Sequence, residues 1–176
     1  MLSLAGVVAI VALLAGCTPT DPVVTPRPEP SATPLFASED EALAAATEAY
    51  AAYLAMSDQI TSEGGANPER IKPFVSDELL ENEIEGYSIY SERHLKTVGR
   101  TLFDGVRFQQ FDSEGRVIIY LCSDAAGIRL IDESGTDVTP ASRLDRQGFE
   151  VEFEGSGGES ALVVARSEPW PGSGLC

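Results

Sequence analysis

Phe149-Glu150-Val151-Glu152-Phe153-Glu154 alternates a large apolar side chain with a carboxylate. Strand side chains point to opposite faces in turn, so this stretch reads as a strand with one buried and one wet face, in an antiparallel sheet. Toward the N-terminus, Val117-Ile118-Ile119-Tyr120-Leu121-Cys122 is apolar at both parities. Such a strand belongs at the centre of the sheet, with helix on one side and a second covering element on the other. Around these two, β-branched and aromatic residues between turn signals predict further strands, the set lying near 100–111, 116–123, 127–132, 148–154 and 161–167. Asp112-Ser113-Glu114-Gly115 and Asp132-Glu133-Ser134-Gly135 put Asp first and Gly fourth, as type I turns prefer, and read as hairpin tips.

Before residue 97 the period is helical. Ser38-Glu39-Asp40-Glu41 is a capping box, in which a hydroxyl and a carboxylate each satisfy an orphan amide of the first turn. Leu43, Ala46, Tyr50, Tyr53, Leu54, Ser57 and Ile60 follow at steps of three and four, and Gly64-Gly65 ends the helix. Asn67-Pro68 restarts a short helical turn through Phe74, and Ser76 opens a further helix carrying Leu79, Leu80, Ile84, Tyr87 and Ile89, weakened at Gly86. Helices first and a hairpin-rich sheet afterwards predict an α+β domain, its helices packed on a curved, cone-like antiparallel sheet.

Residues 1–15 are almost uninterruptedly apolar, a run shorter than the roughly 20 residues of a spanning helix and of the length of a signal-peptide core. The run ends in Leu14-Ala15-Gly16-Cys17, which resembles the lipobox of bacterial lipoproteins at all four positions. The resemblance implies a diacylglyceryl group on the Cys17 thiol and cleavage that leaves Cys17 first in the mature chain. Two acyl chains such as palmitate meet the requirement for stable anchoring, which one chain does not. The leader departs from the family pattern in carrying no Lys or Arg before Arg27. Pro19, Pro22, Pro26, Pro28, Pro30 and Pro34 follow, a density that favours polyproline II at about 3.1 Å per residue and a stalk on the order of 50 Å long. The expected organisation is a signal peptide at 1–16, a lipidated cysteine and linker at 17–35, and one extracytoplasmic domain at 36–176.

The element order of that domain resembles the nuclear transport factor two-like cone. Its tail, from Asp132-Glu133-Ser134-Gly135-Thr136-Asp137-Val138-Thr139-Pro140 through Arg146 to Glu168-Pro169-Trp170-Pro171-Gly172 and Cys176, is similar to a group of actinobacterial lipoproteins. The resemblance implies an exported location on the outer face of a cell membrane and brings no catalytic residue with it. With Cys17 lipidated, Cys122 and Cys176 are the thiols left in an oxidising compartment, where a disulfide between them is expected; two separately buried thiols are the alternative.

A net charge of -16, from 28 acidic against 12 basic residues, repels nucleic acid and anionic headgroups, so the membrane is reached through lipid. His94 is the sole histidine, and lying among Glu92, Arg93 and Lys96 it reads as a helix-end charge. Gly155-Ser156-Gly157-Gly158 lacks the Lys of a phosphate loop, and Asp132, Glu133 and Asp137 do not have calcium-loop spacing. No catalytic residue, metal or cofactor is therefore expected. Tyr50, Tyr53, Tyr87, Tyr90, Tyr120 and Trp170 are core residues or the lining of an apolar pocket. The sequence supports a non-catalytic envelope module that binds a protein, wall polymer or small ligand. The alternative is a small cone-fold isomerase, dehydratase or hydrolase using His94 or a pocket carboxylate as base.

Overall fold

Ser38 caps the first helix: its Oγ accepts the Glu41 N–H at 3.2 Å, and Glu41 Oε2 reaches back to the Ala37 N–H at 2.8 Å. The computed structural model describes residues 35–155, 162–172 and 174–176. In chain order these form α1 (Glu39–Ser62), a 3-10 segment (Pro68–Phe74), α2 (Asp77–Glu92), β1 (Lys96–Val98), β2 (Leu102–Phe111), β3 (Val117–Asp124), β4 (Arg129–Ile131), β5 (Arg146–Gly155) and β6 (Leu162–Pro169). The fold is α+β, helices followed by a curved antiparallel sheet.

The main sheet has the order β2-β3-β5-β6, so the doubly apolar strand is internal, as its composition requires. In register, Val117 faces Phe153, Ile119 faces Val151 and Leu121 faces Phe149. This inner face packs on α1, whose small Ala42 and Ala46, both fully buried, let the helix axis come close, with Tyr50 and Ile60 completing the contact. The outer face carries Tyr120 opposite Glu150 and Ile118 opposite Glu152. Its second cover is the C-terminal segment: Trp170 lies 4.6 Å from the Tyr120 ring, and Leu175 sits over Gly148, where an added Cβ would come within 2.9 Å of it.

One sequence expectation changes. The strand expected at 127–132 shortens to three residues and leaves the main sheet, pairing instead with β1, Thr97 opposite Leu130. The cause is the turn after β3, where Asp124 Oδ1 accepts the Ala126 N–H at 2.9 Å and Ala125 O accepts the Ile128 N–H at 2.9 Å; the chain swings away and β5 takes the place beside β3. The short helical turn expected through Phe74 is a 3-10 helix, started by Asn67 at φ 50 and containing Pro73. The segment after it covers the edge of β6: Ser76 donates its N–H to Val164 O at 2.9 Å. Helix α2 passes through Gly86, which meets no neighbouring atom, and buries only Tyr87 fully. Among the described residues, no helix is long and apolar enough to cross a membrane.

Candidate functional site

The domain has two distinct ends. At one, Leu35 packs over Gly115, where a Cβ would lie 3.0 Å from it, and Phe36 is buried in the core at the start of α1. From there α1 runs about 35 Å at 1.5 Å per residue. Its far end meets β1, β4 and the turns around Ala126 and Ser134, and open clefts lie here. One, of about 570 Å³, separates α1 from the start of β2 and is lined by Ala51, Leu54, Asp58, Arg100, Leu102 and Phe103, among others. A second, of about 710 Å³, lies between the helix ends and the 132–135 turn, with Glu63, Tyr90, His94, Lys96 and Ser134 on its walls. A third, of about 250 Å³, includes Thr61, Tyr90, Thr97, Thr101, Leu130 and Arg143.

Side chains distant in sequence hold this rim rigid. Asp58 on α1 accepts the Thr101 N–H at 2.8 Å and the Thr101 hydroxyl at 2.7 Å, fixing the approach to β2. The hydroxyls of Thr61 and Thr97 share a buried hydrogen bond of 2.8 Å. Gly99, at φ 110, crosses so close to Gly127 that a Cβ would sit 2.1 Å from its carbonyl oxygen. Arg143 donates to Ile128 O and Ala125 O, each at 3.0 Å, and pairs with Asp145 at 2.7 Å. Apart from the Arg143–Asp145 pair, no local sequence pattern could have revealed these contacts, because each joins residues well separated in the chain.

His94 is exposed and stands one residue past the C-cap of α2, at φ 51. It donates its N–H to Ser91 O at 3.3 Å, while the Leu95 N–H reaches Tyr90 O at 2.8 Å. This is a Schellman motif with histidine where glycine is usual, a position defined by backbone bonds rather than by imidazole chemistry. The carboxylate most enclosed by phenols is Glu83, which accepts the Tyr53 hydroxyl at 3.0 Å and the Tyr87 hydroxyl at 2.7 Å, tying α2 to α1. Burial, then the Glu83 charge, raises the pKa of both phenols, and burial pushes Tyr50 up to about 12. These tyrosines are protonated donors. Tyr50, Tyr53 and Tyr87 thus belong to the core, Tyr90 lines clefts, and Tyr120 with Trp170 lies on the outer face; the six aromatics do not line one pocket.

The structure brings Cys122 and Cys176 to disulfide distance, with Cα atoms 5.6 Å apart. Cys122 is buried and Cys176 exposed. Asp132 works as a turn former: the Ser134 hydroxyl at 2.7 Å and the Thr136 N–H at 2.9 Å hold its carboxyl below the usual range. Asp137 is likewise held low by the Thr139 bonds and lies 3.6 Å from Arg129. Among the described residues, no group of three or more His, Cys, Asp or Glu side chains converges as a metal site. Cys17 and residues 156–158 lie outside the described residues.

No protein-family model matches the chain, and no curated protein matches it. Among solved structures, the fold is similar to the intermembrane space region of the chloroplast protein ARC6, with a TM-score of 0.52 and 10% identity over 72% of this chain and 95% of that one. At that identity the likeness is one of fold.

Proposed function

We propose that this chain is a bacterial lipoprotein of the actinobacterial type, anchored through Cys17 on the outer face of the cell membrane, whose cone-like domain is a non-catalytic binding module. The anchor rests on Leu14-Ala15-Gly16-Cys17 and the proline tract that follows it. The observation that carries the binding role is the separation of the two ends. The stalk joins the domain at Leu35, beside Gly115, while open clefts lie at the other end of α1. The exposure of His94 and the engagement of Glu83 by two phenols favour binding over acid–base chemistry.

The test is made in intact cells on the full chain. Cys17→Ala should abolish incorporation of an alkyne-labelled fatty acid and release the protein from the membrane fraction. A photo-crosslinker at Gln59, on the cleft wall, should capture a specific envelope partner that one at Glu114, beside the Gly115 that Leu35 packs over, does not. Unchanged labelling in the Cys17 variant contradicts the anchor, and equal capture at the two positions contradicts the binding end.

A further inference from the structure

Residues 93–102, Arg93-His94-Leu95-Lys96-Thr97-Val98-Gly99-Arg100-Thr101-Leu102, carry three of the chain's 12 Lys and Arg residues, its single histidine and no carboxylate, in a protein of net charge -16. Their side chains divide in two. Thr97 is buried against Thr61, Thr101 is bound by Asp58, and Gly99 is pressed against Gly127, so alternate positions pin the segment to the domain. Lys96, Val98, Arg100 and Leu102, the positions between and beside them, are all exposed, Val98 at 54% and Leu102 at 60%.

Val98 and Leu102 are two of the six large apolar side chains exposed among the described residues, and they stand four positions apart on one segment. The cations are unspent as well. Arg70, Arg116, Arg129, Arg143, Arg146 and Arg166 all form ion pairs, whereas Arg93, Lys96 and Arg100 have none among the described residues. Leu102 also begins β2, an edge strand of the main sheet, and faces the α1 cleft floored by Ala51, Leu54 and Ala55. Register irregularities after Asp104 interrupt that edge, so the stretch open to pairing is its start.

We propose that the strip Lys96, Val98, Arg100 and Leu102 docks an extended polypeptide segment of a partner in which carboxylate and aliphatic side chains alternate. The proposal rests on reading the domain as a binding module and names the chemistry of what it binds. Charge complementarity selects an acidic occupant, since this is a basic stretch on an acidic body. The aliphatic members and the free edge select polypeptide over a polyanionic wall polymer, which offers nothing apolar to Val98 and Leu102. The remaining surface charge repels an anionic bilayer.

The experiment titrates the full chain, in neutral detergent, with a capped octapeptide of alternating Glu and Val, followed by amide NMR. Shifts should concentrate in residues 94–102 and along the cleft side of α1, and should weaken as salt rises from about 50 to about 500 mM. Lys96→Glu with Arg100→Glu should weaken binding by about tenfold or more. Val98→Ser with Leu102→Ser should weaken it at unchanged salt dependence, and the Lys-Val octapeptide should not bind. Thermal midpoints of both variants within a few degrees of the parent would show them folded, as expected for exposed positions. No shift in this segment, an affinity unmoved by charge reversal, or displacement of the peptide by phosphatidylglycerol vesicles overturns the proposal. Retained capture at Gln59 alongside such a failure would leave the binding module standing and discard only the acidic partner.

Discussion

His94 shows how a residue singled out by its rarity acquires its meaning from the backbone. As the only histidine it invites a catalytic reading, yet its left-handed φ of 51 marks it as the C′ residue of α2. His94→Gly should therefore stabilise the fold by about 0.5–1 kcal/mol, seen as a higher urea midpoint at unchanged slope. Gly99 is the converse case. At φ 110, with the Gly127 carbonyl 2.1 Å from any added Cβ, Gly99→Ala should cost at least about 2 kcal/mol by the same measurement. Neither consequence was legible in the sequence, because φ at one position is set by bonds to Tyr90 and Ser91, or by the crossing of a turn distant in the chain. The tyrosines add a pH dependence. Tyr50, Tyr53 and Tyr87 hold their protons more tightly folded than unfolded, chiefly through burial. Their contribution is thus fully present below about pH 10, the ordinary phenol value, and is lost as pH rises through the higher folded values. Stability should fall steadily above about pH 10, and phenolate absorbance should report these three titrating together with unfolding rather than before it.

The strand elements divide by length and by the reach of their contacts. The alternation at Phe149 to Glu154 and the doubly apolar run at Val117 to Cys122 gave their positions in the sheet directly, because burial on one or both faces is written into composition. The capping box at Ser38 and the glycine stop at Gly64 were equally local. Of the small sheet, β4 falls inside the strand expected at 127–132, but β1, three residues long, is too short to show a period, and its pairing with β4 spans about thirty positions. The candidate site suffers most from this, since its rim is built by β1, β4 and long-range bonds such as Asp58 to Thr101. The cover on the outer face was expected as an element but not identified, and it is the C-terminal segment carrying Trp170 and Leu175. Closing Cys122 to Cys176 across a separation of 54 residues removes denatured-state entropy worth about 4 kcal/mol. Reduction should lower stability by about that amount and shift the emission of Trp170, the chain's one tryptophan, to the red as it leaves Tyr120.

Taken whole, the chain joins an acidic domain to an apolar N-terminal run through a proline tract, and these parts have opposite preferences for water. A body of charge -16 has no electrostatic reason to approach an anionic membrane, so the proposed membrane location rests on the lipid at Cys17. Inside the domain, Leu35 packs over Gly115 near the start of α1, while open clefts lined by both cations and carboxylates lie at the far end of that helix. The proposed lipid on Cys17 is the premise on which the membrane location of the domain rests. The mass of the N-terminal peptide from protein isolated from its native cells tests this most directly. The account predicts a peptide that begins at Cys17 and carries a diacylglyceryl group. A peptide that keeps Met1 and an unmodified Cys17 would contradict it.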